Sequence, residues 1–194
     1  MLTTCSLSTA APDLPLPAPQ KTGGQPLMLA LAGRHSSRQF ANRDLDQQTL
    51  ANLLWAANGF NRADKRTAPS AKNQQEIDVY VFLKTGAYFY DARANALILR
   101  AAGDHRKTAG TQEFVATAPV NLVLVANLDK AASREMAHAD CGFISQNVYL
   151  YCASENLATV VRAGVDKKAL AELLKLSDKQ EALYNQPIGY PPVP

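Results

Sequence analysis

Cysteine is scarce in this chain: Cys5, Cys141 and Cys152 are the only three among 194 residues. An odd, low count argues against a disulfide framework and says little about compartment. Cys141 and Cys152 stand about three turns apart in a stretch of helical character, so they cannot bridge each other. Charge is thin as well, at 19% of residues, and the net charge is only +3. That surplus lacks the Lys/Arg density of a nucleic-acid binder. No apolar run reaches the length of a membrane-spanning helix. No Gly-x-Gly-x-x-Gly follows a strand and no Gly-x-Ser-x-Gly occurs, which argues against a Rossmann dehydrogenase and an α/β-hydrolase. Carboxylates are scattered, with no pair set out for glycosidase-type acid/base work. There is no internal repeat.

What is present suits one sizeable core, and 47% hydrophobic residues read as globular. Residues 1–25 (MLTTCSLSTAAPDLPLPAPQKTGGQ) are poor in charge and rich in Pro, Ala, Ser and Thr. Alternating prolines favour an extended, flexible arm over a helix. The arm lacks a basic n-region and a long apolar h-region, and is either a plain arm or the remnant of an export signal. The compartment stays open accordingly, cytoplasmic or periplasmic. Lys21-Thr22-Gly23-Gly24 lacks the downstream Gly-Lys-Ser/Thr of a phosphate loop and reads as a turn. Residues 26–194 form a single domain.

Within it, Pro26 opens a short helix from Leu27 to about Ala32. Asp46 caps a helix carrying Leu50, Leu53, Leu54 and Ala57, ended by Asn58-Gly59. Residues 61–72 make a long polar loop. Ile77–Leu83 is a strand by its β-branched and aromatic content, followed by strands over Ala87–Asp91 and Ala96–Arg100. Thr111 is expected to cap a short helix before Pro119. Val120–Ala126 is a continuous apolar run, the mark of a strand covered on both faces. Ser133–Glu155 is helical, and its fourteen uncharged residues after Asp140 predict burial nearly all round. Gln146 and Asn147 in its middle need partners, which a helix–helix or subunit contact would provide. A short strand over Leu157–Arg162, a helix capped by Asp166 and an irregular tail from Asn185 complete the chain. Helices interspersed with a mainly antiparallel meander make the fold α+β.

For chemistry, His138-x-x-Cys141 places two potential ligands on one helical face, but a third and fourth are missing. The same pair as base and thiol nucleophile lacks an orienting group. The strongest feature is Gly33-Arg34-His35-Ser36-Ser37-Arg38-Gln39-Phe40. Taken alone it reads first as a solvated basic turn; its guanidiniums and hydroxyls equally suit a phosphate and an electron-rich ring.

The chain resembles the nitroreductase family of flavin enzymes, especially its small SagB-type branch of azoline-dehydrogenase relatives. The carriers are Pro19–Gly24, Arg34-His35-Ser36-Ser37-Arg38, Leu53–Gly59, Arg66-Thr67-Ala68-Pro69-Ser70-Ala71-x-Asn73, Gln146–Leu150 and Gly189-Tyr190-Pro191, in the family's order from about Leu16 onward. The resemblance implies a nitroreductase-like fold, a central mainly antiparallel sheet flanked by helices with a long buried helix at a homodimer interface. It implies FMN, with NADH or NADPH as reductant and a nitroaromatic, quinone or similar small molecule as electron acceptor. Neither nucleic acid nor membrane is a partner. Arg34 would bind the FMN phosphate and ribityl chain, with His35 and Ser36 alongside. Arg38 would sit at the pyrimidine end of the ring. Pro69, Ser70 and Asn73 would reach the flavin from the other subunit. Val161, Arg162, Ala163 and Gly164 would bring backbone groups to flavin O4 and N5. No side chain is needed as acid or base, and no metal, because the flavin performs the redox step.

The sequence departs from the family in three places. Glu155-Asn156-Leu157 stands where relatives have Glu-Gly-Leu, a change that Asn tolerates in a left-handed turn. No basic residue follows Tyr190 to complete the phosphate site, and there is little room for a large lid. Alternatives are a SagB-like dehydrogenase of a peptide or heterocycle, and a flavin-binding module without turnover.

Overall fold

A computed structural model describes residues 12–192. Seven strands form one antiparallel sheet: β1 (Leu14–Pro15), β2 (Ile77–Leu83), β3 (Gly86–Asp91), β4 (Ala96–Ala102), β5 (Val120–Asn127), β6 (Ala158–Thr159) and β7 (Gln180–Gly189). Their order across the sheet is β1-β4-β3-β2-β5-β7-β6. Five helices accompany them: α1 (Leu27–Gly33), α2 (Gln47–Asn58), α3 (Glu113–Thr117), α4 (Arg134–Ser154) and α5 (Lys167–Leu174). The fold is α+β, as the sequence pattern implies.

The apolar run of β5 is explained by its two neighbours. Leu122 and Leu124 face one core with Leu53 and Leu54 of α2 and with Cys141, Ile144 and Val148 of α4. Val123 and Val125 face a second core with Leu170 and Leu174 of α5. With both faces covered, alternation disappears. Side-chain caps fix three helix starts: Asp46 accepts from Thr49 N at 2.8 Å, Ser133 from Met136 N at 3.2 Å and Asp166 from Ala169 N at 3.0 Å. These use the same polar residues that mark helix starts in the sequence.

Four expectations change. The tail from Asn185 is not irregular, since β7 runs to Gly189 between β5 and β6. Pro187 sits opposite Asn121 in that ladder, and its carbonyl accepts from Thr159 Oγ1 at 2.9 Å. Within the predicted arm, residues 1–11 lie outside the described residues. Residues 12–25 are tied down, because β1 pairs with β4, Gln20 N donates to Asn52 and Gln25 N to Ser154. The short helix before Pro119 begins after Gln112 rather than Thr111, whose N–H instead reaches Gly164 O. Finally, α4 is not buried all round: Met136, Gly142, Phe143 and Gln146 are exposed in the single chain, while Asn147 donates to Ala57 O at 3.5 Å.

Candidate active site

The end of α1 delivers Arg34 into an extended segment that is stitched to the sheet. Ser37 N donates to Thr159 O of β6 at 2.9 Å, and Ala41 N to Tyr190 O at 2.8 Å. This brings residues 34–40 alongside residues 160–164, which continue from β6. An isolated bridge between Arg162 and Asn185 of β7 fixes that second segment.

Tyr149 of α4 joins the two. Its hydroxyl lies 2.8 Å from Ser36 Oγ and accepts from Val161 N at 3.0 Å. The Arg34 guanidinium lies 5.2 Å over the Tyr149 ring, a cation–π arrangement that steadies the charge without neutralising it. Among the described residues, Arg34, Arg38 and Arg162 form no ion pair with an acid. A recess of about 220 Å³ adjoins this junction, between α4, Val161 and Tyr184. Ser145 Oγ, buried in the recess lining, has no hydrogen-bond partner. At its far end His138 Nδ1 lies 3.0 Å from Tyr184 Oη. Free guanidiniums, hydroxyls and an unpartnered buried polar atom are a donor set for an anionic, hydrogen-bonding ligand.

Arg34, Ser36 and Val161 therefore meet, and Arg38 lies close enough to act on Arg162 electrostatically. Gly164 belongs to the same turn, since a Cβ built on it would lie 3.2 Å from Arg162 Nη2, and Ala163 between them is exposed. His35 is different, because its Nδ1 turns back to Gly33 O at 2.9 Å. Pro69, Ser70 and Asn73 are not part of the cluster. Their loop is anchored by Ala71 N donating to Asp140 Oδ2 at 3.0 Å. Asp140 precedes Tyr149 by nine residues, about 13 Å along a helix. Lys72, Asn73 and Gln75 there have φ of 53°, 58° and 50°. Three non-glycine residues in the left-handed region mark a loop held against its own preference.

The sequence reading gave neither Tyr149 nor Tyr184 a role in the site, although Tyr149 stands in the Gln146–Leu150 motif. Nothing separates Tyr149 from a core aromatic until Ser36 and Val161 are seen beside it. The metal and thiol readings of His138 and Cys141 find no support: no group of three potential ligands occurs among the described residues, and burial pushes the Cys141 thiol far up. A larger hollow of about 590 Å³ lies elsewhere, between residues 20–24, α2 and the end of α4. Its Asn52 and Ser154 already accept from Gln20 and Gln25, and its Lys21 stands 5.4 Å over Trp55. It lacks the cluster of free cations that an anionic ligand needs.

Residues 31–190 match the model of the nitroreductase family. The chain belongs to the nitroreductase family. A crystal structure of a nitroreductase-named protein from Ralstonia eutropha JMP134 is 39% identical, with a TM-score of 0.89, covering 97% of this chain and 93% of that one. The nitroreductase-named protein MJ1384 of Methanocaldococcus jannaschii is 27% identical, covering 82% of this chain and 88% of the archaeal one. A chain of the E. coli microcin synthetase McbBCD complex shares the fold at 20% identity and a TM-score of 0.70, covering 84% of this chain and 73% of its own. Family membership makes the protein an oxidoreductase of nitroreductase type.

Tyr149→Phe tests the junction. The substitution strands the Val161 N–H and removes the partner of Ser36, and should cost about 1–3 kcal/mol of stability. Urea unfolding measures it, and a loss under about 0.5 kcal/mol would remove Tyr149 from its joining role.

Proposed function

We propose that this nitroreductase-family oxidoreductase uses FMN to take hydride from NADH or NADPH and passes electrons to a nitroaromatic, quinone or similar small-molecule acceptor. The observation that carries the reading is the meeting of Arg34, Ser36 and Val161 on Tyr149, beside a recess and, among the described residues, without an ion-paired acid. Bound FMN supplies the hydride chemistry. Arg34 holds the phosphate, with Ser36 as a neutral donor and His35 at the rim. Arg38 sits at the pyrimidine end, where positive charge favours the reduced ring. Residues 161–164 offer backbone groups to its O4 and N5 edge.

Pro69, Ser70 and Asn73 fit this scheme as a contribution from the second subunit of a homodimer. Their separation from Arg34 within one chain is what such a site requires. The exposed apolar side chains favour the same arrangement: Leu27, Met28, Leu29 and Leu31 of α1 and Met136 and Phe143 of α4 are all open to solvent in the single chain. Apolar groups gathered on neighbouring helices suit a partner subunit.

Visible absorbance of the purified protein, and titration with FMN, test the reading. The expected result is a yellow protein whose flavin bleaches with NADH or NADPH and recovers on adding a nitroaromatic. Arg34→Ala should weaken FMN binding by about 1–3 kcal/mol, the scale of a charge-assisted contact. A colourless protein that takes up no FMN would end the proposal. Bound flavin bleached by neither nicotinamide would instead mark a binding module, and azoline oxidation without nitroaromatic reduction a SagB-like dehydrogenase.

A further inference from the structure

We infer that the Arg162 side chain, working with Arg38, selects an acceptor that carries a carboxylate on a flat ring, so that the preferred substrate class is an aromatic organic acid. This rests on the oxidoreductase reading above, which assigns a role to the backbone of residues 161–164 but none to this side chain.

The Arg162 guanidinium feels the positive charge of Arg38. Neither Arg38 nor Arg162 forms an ion pair among the described residues. Burial pushes the Arg162 guanidinium below its usual value, and the charge of Arg38 pushes it further. Like charges kept close are unfavourable, and a bound anion reverses the sign of that interaction. An isolated surface arginine would swing away into water; this one is held at its base. Arg162 N donates to Asn185 O at 2.7 Å and Asn185 N to Arg162 O at 2.8 Å, fixing the backbone against β7. The guanidinium lies 5.3 Å over the Phe114 ring, and Phe114 in turn meets Phe40 at 6.2 Å. On its other side Gly164 leaves room that a larger residue would narrow, a built Cβ standing 3.2 Å from Arg162 Nη2.

The result is a planar fork of N–H donors beside an aromatic wall, with a second cation near by. A carboxylate accepts two parallel N–H bonds from such a fork, and a ring attached to it has Phe114 and Phe40 for apolar contact. Arg34 is a separate charge, occupied with Tyr149 and the phosphate end. The two anionic needs of the site are thus divided between different arginines.

Calorimetric titration of benzoate and its neutral isostere benzamide into the purified protein tests the inference without turnover. Benzoate should bind at least about tenfold more tightly, equivalent to 1.4 kcal/mol. Arg162→Gln should bring benzoate to the benzamide level. Arg162→Lys, which keeps the charge but loses the fork, should recover part of the preference. Equal binding of the two probes, no binding of either, or a preference that survives Arg162→Gln would overturn it. So would a loss of FMN affinity in place of benzoate affinity, since the cofactor's own phosphate would then be the anion. The wild-type comparison stands even if the variants fold poorly. A protein that takes up no FMN yet prefers benzoate would refute the oxidoreductase reading and leave the anion site in place.

Discussion

A Met28→Asp, Phe143→Asp double variant should run as a monomer at concentrations where the proposed wild-type homodimer forms, and should lose the proposed flavin with the partner. In the single chain Met28 is 74% exposed and Phe143 46%, so both side chains leave much apolar surface outside the subunit's own core. Ala30 is the residue of α1 that turns inward, which leaves the apolar face of that helix looking out. On α4, Met136, Phe143 and Gln146 lie at helical spacing on one open stripe. A carboxylate on each of these surfaces must be stripped of water for the proposed dimer to form. Dimerisation should weaken at least about a hundredfold, or 2.7 kcal/mol. Light scattering reads the mass, and the visible spectrum reads the flavin. Retention of the dimer would place the interface elsewhere. A wild-type monomer with bound flavin would remove the need for Pro69, Ser70 and Asn73 to act across subunits.

Local signals carried most of the fold. Asp46, Ser133 and Asp166 cap helices because a short side-chain oxygen satisfies an early N–H whatever the tertiary context. Asn156 takes a φ of 55° at the end of α4, as the Glu-Asn-Leu turn requires. What depended on distant partners stayed hidden. Pro187, Gly189 and the following prolines read as a breaker cluster, yet β5 and β6 on either side hold that segment as a strand. Tyr149 looked like one more residue of an apolar helix, and only the approach of Ser36, far away in the chain, shows its hydroxyl in use. Residues 12–25 looked mobile because their tie points, Asn52, Asn95, Leu97 and Ser154, all lie elsewhere in the chain. Arg34 and Ser36 stand in one motif, and the structure brings them to Val161 through Tyr149. His35 followed the same motif but turns to its own helix end.

Glu76→Gln should make the protein more stable at neutral pH and flatten its pH dependence. Glu76 is only 1% exposed, neither of its carboxylate oxygens has a hydrogen-bond partner, and its nearest charged neighbour is the buried Asp140. Burial, and then the nearness of the Asp140 carboxylate, raise its pKa from 4.5 to about 6. Between those values the folded protein holds a proton that the unfolded chain has released. Stability therefore falls as pH rises through that window, and the cost is fully present above it. A shift of this size corresponds to about 2 kcal/mol. Glutamine keeps the shape, carries no charge and can donate to Asp140, which still accepts from Ala71 N. Urea unfolding at about pH 5 and about pH 7.5 should show the wild type losing about 1–2 kcal/mol between them and the variant losing little, with the variant the more stable at the higher pH. A variant less stable than wild type at pH 7.5 would mean that the ionised carboxylate is satisfied in solution. The retained cost has a place in the proposed site, because Asp140 holds the strained Pro69–Gln75 loop at its first turn. Replacing its acidic neighbour by an amide tightens that anchor. The variant should then bind FMN at least as well as wild type at pH 7.5, so that any activity it loses reflects loop motion rather than cofactor loss.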